Sequence, residues 1–274
     1  MPASPLIYCP IDPSLVLPEE KLELDFEGKS LINSLTVVPW RTLWRLNKLY
    51  LVDQIPLEAR ESTILKWEWE IPEINQKILD LGFKTLFCTS TSKKWPIRNF
   101  AYPDWVKPSI YSNPIKDIHF SFVGWNNNRL RGRIFELYGH LPSVIKRDEY
   151  NSSERNKEHD TQFVDILSRS RFSLCPAGVG SGTRRLWESL AAGAIPVIIS
   201  DDWTPPTCWD WANTAIFLKK WQVLELNNKI NVATILPAWR EEQMRTNCHK
   251  ANRAFHSPDF LLKYIDYTIN ANRQ

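Results

Sequence analysis

The chain has 274 residues, 43% of them hydrophobic and 24% charged, with a formal net charge of +3. That length suits two small domains or one large one and buries a core without disulfide staples. So small a charge excludes nucleic-acid binding by bulk electrostatics, while local basic residues can still meet an anionic ligand. The five cysteines, Cys9, Cys88, Cys175, Cys208 and Cys248, are odd in number and irregularly spaced. They exclude zinc-ligand spacing and point to a reducing, cytoplasmic setting.

In chain order, the start is rich in proline, with Pro2, Pro5, Pro10, Pro13 and Pro18, and is expected to lie extended over the surface. It has no basic region followed by an apolar one, so it does not read as a signal peptide, and no apolar run is long enough to span a bilayer. Contact with a membrane surface stays open. Lys48 to Val52 (KLYLV) suggests a buried strand ending at Asp53. Ile71 to Leu81 has helical spacing, with Gly82 as its stop, and Lys84 to Thr89 follows as a strand. Ser90 to Pro114 is looser, with four prolines, and reads as a linker or a loop over a site.

The alternation then returns. Ile118 to Val123 is a strand leading to Gly124, Arg129 to Tyr138 a helix, and Ser143 to Ile145 a short strand. Asn151 to Asp160 reads as a solvated loop and Phe163 to Arg169 as a short amphipathic helix. Arg171 to Cys175 is a strand, Thr183 to Ala192 a helix and Ile195 to Ile199 a strand. The tail holds one helix near Val232 to Phe255, with Pro237 as a candidate break, and another from Pro258 to Asn270. Strands alternating with helices imply parallel sheets with both faces covered. Two such clusters imply two Rossmann-like domains, residues 1–112 and 113–274. Ligands of such sheets bind where the strands end.

Phe172 to Pro206 carries the chemistry (FSLCPAGVGSGTRRLWESLAAGAIPVIISDDWTPP). A strand stops near Pro176, then Gly178, Gly180 and Gly182 lead to Thr183 and a helix. Free N–H groups and the helix dipole make such a turn an anion site. Arg184 and Arg185 stand in the first helical turn, where the dipole disfavours cations, and a diphosphate would explain them, because arginine binds phosphate bidentately. The alternative is an arginine paired with Asp165 or Glu188. Glu188 lies one turn after Arg185, where it either accepts hydrogen bonds from ribose hydroxyls or forms a plain helix pair. Asp201 and Asp202 end the last strand, as ligand contacts or as a solvated turn.

The order CPxG, Gly/Ser/Thr turn, RxxWESLAAGxIPVIISDxW and PP resembles the donor-binding signature of the exostosin family of glycosyltransferases. Phe122-Val123-Gly124, followed by Arg129, Arg131 and Arg133, resembles that family's upstream F-x-G…R element. The resemblance covers roughly Ile118 to Trp211. It implies an α/β, GT-B-like architecture, with two Rossmann-like domains facing across a cleft: a reduced N-terminal acceptor domain and a C-terminal donor domain. It implies transfer of a sugar from a nucleotide-diphosphate sugar to a glycan or glycolipid hydroxyl, by inversion, with no metal and no separate cofactor. A UDP-sugar is favoured over a GDP-sugar. The donor-binding residues it implies are Gly124, Arg131, Gly180, Gly182, Thr183, Arg185, Glu188 and Asp201. For the catalytic base Asp53 is chosen, as the end of the KLYLV strand, over His119 inside a strand and His140 after a helix. A fucosyltransferase-type enzyme, a sugar-nucleotide epimerase of the same fold and a non-catalytic donor-binding partner subunit are the competing readings.

Overall fold

A computed structural model describes residues 5–16, 20, 26, 35–65, 71–91, 93, 95–104, 115–147, 157–225 and 228–272. The chain divides into two compact units. One comprises Met1–Trp105, Asp202–Trp209 and Arg253–Gln274, and the other Val106–Asp201 and Asp210–Asn252. A single cut between 112 and 113 leaves two returning segments with the wrong sheet. The tail packs on the first sheet through aromatic rings: Tyr264 meets Phe87 edge-on, with ring centroids 5.9 Å apart.

In the first unit the strands β1 (Leu6–Ile7), β2 (Thr36–Val37), β3 (Ser62–Leu65), β4 (Thr85–Cys88) and β5 (Arg98–Ala101) form one parallel sheet in chain order. Helices α1 (Trp40–Arg45) and α2 (Pro72–Asp80) accompany it. Helix α2 buries Ile74 and Ile78, four residues apart on one face, and Gly82 at φ 74° turns the chain out of it. Trp40, Leu43, Val52, Ile74, Ile78 and Leu86 share one core. Glu20 caps α1 from a distance, its carboxylate accepting from the Arg41 and Thr42 amides at 3.0 Å. Its Pro39 cap has no side chain to offer. Helix α9 (Pro258–Ala271) joins this unit, the Tyr264 hydroxyl donating to the Ala101 carbonyl at 2.6 Å.

Three expectations are corrected here. Lys48 to Val52 is not a strand: Leu49–Gln54 is a 3-10 helix, in which Leu49 is half-buried, Tyr50 exposed and Val52 buried, the three-residue spacing of a helix rather than alternation. The proline-rich start supplies β1, because Leu6 and Tyr8 donate their amides to Leu35 and Val37 and so use the sheet edge. The loose stretch after Ser90 contains β5, a strand whose Arg98 and Asn99 break the apolar pattern. Residues 105–114 lie outside the described ones.

The second unit holds β6 (Ile118–Trp125), β7 (Val144–Arg147), β8 (Ser170–Pro176), β9 (Ile195–Ile199) and β10 (Ile216–Leu218). All pair in parallel, in the order β10-β9-β8-β6-β7. The chain goes from β6 outward to β7, then returns to β8 on the other flank of β6, so the winding reverses between β6 and β8. The helices are α3 (Arg129–Tyr138), α4 (Lys157–Arg169), α5 (Arg184–Ala192), α6 (Lys220–Leu224), α7 (Lys229–Ala233) and α8 (Ala238–Phe255), whose last three residues belong to the first unit. Helix α4 starts within the stretch expected as a solvated loop; residues 151–156 lie outside the described ones. The single tail helix is two, α7 and α8, with Pro237 between them.

Helix α5 buries Leu186, Trp187, Ser189, Leu190 and Ala192 and ends at Gly193, φ 63°, where a Cβ would stand 2.4 Å from His249 Nε2. Ala191 on the same helix is only half-buried. The Lys116 ammonium donates to the last carbonyls of α4 and α5, Ser168 at 2.5 Å and Ala192 at 2.8 Å, where the dipoles favour a cation. Burial, then Arg245, lowers its pKa to about 8. Among the described residues no helix is long and apolar enough to cross a membrane.

Candidate functional site

The reversal between β6 and β8 opens a crevice at the carboxyl ends of those strands, where ligands of open α/β sheets bind. Strand β6 ends in Gly124-Trp125 and β8 in Pro176. Asn128 ties the two ends together. Its Oδ1 caps α3 by accepting from the Arg131 amide at 3.0 Å, and its Nδ2 donates to the carbonyls of Ala177 at 3.1 Å and Gly178 at 2.9 Å. Two further bonds fix the glycine turn against β9: the Ala177 amide to the Ile199 carbonyl, and the Ser200 hydroxyl to the Ser181 carbonyl, both at 3.0 Å.

Two guanidinium groups converge on one ring in this crevice. Arg185 lies with its Cζ 4.9 Å from the centroid of Phe122 and 5.3 Å from that of Phe163, so it packs against two aromatic rings. Arg131 has its Cζ 5.8 Å from the same Phe122 ring and donates long bonds, 3.4 Å each, to the Trp125 and Pro176 carbonyls. Each cation–π contact contributes about 0.5 to 2 kcal/mol. Phe122 itself is 1% exposed and cannot move aside.

The glycines make room for these cations. A Cβ on Gly178 would stand 2.8 Å from the Arg131 Nη2, and one on Gly124 would stand 3.3 Å from the Phe122 ring and 3.5 Å from the Arg185 Nη2. Any other residue at 178 would push the guanidinium away. Like charges held against one ring repel, and an anion between them is bound by both.

Thr183 is the N-cap residue of α5 but gives no side-chain cap, which leaves the helix N-terminus to be met by a ligand. Gly180 and Gly182 lie in the turn that precedes it. Arg184 and Glu188 are half-buried on α5. Asp165 is engaged by Arg169 at 3.2 Å. Asp201 is exposed, and its carboxylate accepts from the Lys220 amide at 2.9 Å, so it fixes the start of α6. Cys175 under α5 is a buried thiol pushed up to about 11, first by burial.

Asp53 does not end a strand, the position for which it was chosen as a candidate base. It sits in the 3-10 helix of the first unit, 57% exposed, with Lys77 at 2.6 Å. His119 is at the amino-terminal end of β6, where its Nε2 shares a hydrogen bond of 2.9 Å with the Thr234 hydroxyl, and His140 is exposed beyond α3.

Residues 86–233, more than half of the chain, match the family described as the Exostosin GT47 domain. The chain belongs to this exostosin family of glycosyltransferases. The exostosin-1 homolog of Caenorhabditis elegans is 35% identical over 74 residues, 26% of this chain and 19% of that protein. Exostosin-1 of Drosophila melanogaster is 36% identical over 90 residues, 32% of this chain and 12% of that protein. A probable beta-1,4-xylosyltransferase of Arabidopsis thaliana is 29% identical over 92 residues, 33% of this chain and 22% of that protein. The match thus spans less than a quarter of each of these relatives. Among solved structures, the pneumococcal O-GlcNAc transferase GtfA in complex with UDP and GlcNAc is similar at a TM-score of 0.42 and 11% identity, over 88% of this chain and 57% of that one. The fold class read from the exostosin sequence, α/β and GT-B-like, agrees with two parallel sheets accompanied by helices.

Three residues that shape this crevice do not stand out in the sequence as candidates. Asn128 was legible as an N-cap, an asparagine directly before an amphipathic helix. Phe122 stands in the F-x-G element, where only the glycine and the arginines drew attention. Phe163 carried no signal, because a helical phenylalanine reads as core.

Proposed function

We propose that this exostosin chain transfers a sugar from a nucleotide-diphosphate sugar to a hydroxyl of a glycan or glycolipid, with inversion at the anomeric carbon. The observation that carries this reading is the convergence of Arg131 and Arg185 on Phe122 at the β6/β8 reversal, with Gly124 and Gly178 clearing their approach. The diphosphate sits over the Gly178–Thr183 turn, on the N-terminus of α5 and against Arg185. Glu188, one turn on, accepts hydrogen bonds from the ribose hydroxyls. Uracil is the preferred base.

The acceptor oxygen bonds to the anomeric carbon as the bond from that carbon to the diphosphate breaks. The electron pair leaves on the diphosphate, where the two guanidinium groups and the helix N-terminus meet the new charge. These cations do the work that a divalent ion would otherwise supply. The hydroxyl proton passes to a carboxylate or an imidazole.

Calorimetric titration with UDP and with GDP tests the donor site. We expect UDP to bind, and Arg185→Ala to weaken it about 10- to 100-fold, the loss of a charge-assisted phosphate contact. No binding of either nucleotide, or equal binding by the variant, would overturn the assignment. Incubation with UDP-sugars and glycan acceptors then separates a transferase, which releases UDP, from a donor-binding subunit, which does not.

A further inference from the structure

The amino-terminal end of the second sheet has a cavity of 790 Å³ that the proposed transfer does not use. Its volume lies within the span of small-molecule sites, about 300 to 1,000 Å³. His119 at its rim and Gly124 at the donor crevice are five residues apart on β6, so the two places lie about 16 Å from each other along the strand.

The cavity has an apolar floor and a polar rim. Ile118 and Phe120 at the start of β6, Leu137 on α3 and Ile166 on α4 make the floor. Tyr138 stands edge-on to Phe120, ring centroids 5.2 Å apart. Around the rim are the amides of Asn228 and Asn231 and the imidazoles of His119 and His140. Amides and imidazoles both donate and accept hydrogen bonds. A sugar ring has the matching pattern, apolar on its C–H faces and polar at its edge.

The rim's charge is already spent. The guanidinium of Arg169 donates to both oxygens of Asp117, at 2.9 and 2.5 Å, and to Asp165 at 3.2 Å, so this cation is held by two carboxylates. Burial, and then Arg171, lowers the His119 pKa below the ordinary histidine value, which keeps it neutral at pH 7. Among the described residues that line the cavity, a phosphate or a uronate finds no arginine or lysine without a carboxylate partner. We propose that this cavity binds a neutral short oligosaccharide, at a site separate from the diphosphate crevice.

Saturation-transfer NMR on the full chain, with cellotriose, xylotriose and chitotriose at millimolar concentration, tests it. At least one should receive saturation, and excess UDP should leave that signal intact. Trigalacturonic acid should give less. Asn231→Trp and His140→Trp each put an indole at the exposed rim. Both should weaken binding at least about tenfold, with the thermal midpoint unchanged. Silence from all three sugars, displacement by UDP, stronger binding of the acid, or full binding by both plugged variants would overturn the proposal. The sugar arm stands whether or not UDP binds, so failure of the donor assignment and failure of this one are told apart.

Discussion

The two sheets are built from the same parts and differ in one topological respect. The first sheet adds its strands in chain order, β1 to β5, and never changes direction. The second reverses between β6 and β8, and the reversal parts the connections at the carboxyl ends of those strands. The glycine turn, the uncapped start of α5 and two guanidinium groups all fall there. Asp53, in the 3-10 helix between β2 and β3 of a sheet without a reversal, is an ion-paired surface carboxylate. A parallel sheet offers a crevice only where its winding turns, and the position of a residue relative to that turn says more than its chemical type.

Substitutions in the two units test this contrast. Beyond Arg185→Ala, the largest effect should come from Gly178→Val, whose side chain must displace Arg131. We expect UDP binding to weaken about 10- to 100-fold by calorimetry, with the helical circular dichroism retained. Next is Glu241, at the other end of the second sheet, which pairs with Arg171 and Arg245 at 2.5 Å each. Burial alone would raise its pKa, but the two guanidinium groups outweigh that and hold it below the usual carboxylate range. A lowered carboxylate pKa contributes stability above the unfolded-state value and loses it as pH falls through the folded one. Chemical denaturation should therefore show Glu241→Gln about 1 to 3 kcal/mol less stable at pH 7, with the gap to the parent closing below about pH 4.5. UDP binding should not change.

Phe122→Leu comes next, with Phe172→Leu as its control, since both rings are fully buried in the same sheet. Both should lower the thermal midpoint, but only Phe122→Leu should weaken UDP, about 3- to 30-fold. Equal effects on binding would show that the ring is packing and not a seat for the arginines. The smallest change is expected from Asp53→Asn: at most about 1 kcal/mol of stability, and unchanged UDP binding. Loss of sugar transfer in that variant would restore Asp53 as the base and break the contrast between the units.

Most of the second unit was legible in the sequence. Helices α3 and α5 and strands β6, β8 and β9 announce themselves by apolar periodicity and by glycine stops, so the glycine turn could be placed at a helix N-terminus. The first unit was less legible for a physical reason. KLYLV is apolar enough for a strand, yet a run of five fits nearly two turns of 3-10 helix equally well, and only packing decides. Strand β5 is too polar to stand out, and β1 has two residues. The return of α9 to the first sheet depends on aromatic contacts between residues far apart in sequence, such as Phe87 with Tyr264, which no local pattern records. At the site, Gly178 was read as a supplier of free N–H groups; the structure adds a second reason, the guanidinium packed against it.

That second reason has a bearing on inheritance. A side chain at 178 would meet the end of the Arg131 guanidinium, which must then shift. The demand is therefore conditional. A chain that had lost the arginine should accept alanine at 178 with no such shift, while a chain that kept it must move the guanidinium. The two positions should be epistatic: the double variant Gly178→Ala with Arg131→Ala should be less impaired than the sum of its singles. Among related chains the pair should drift together or not at all.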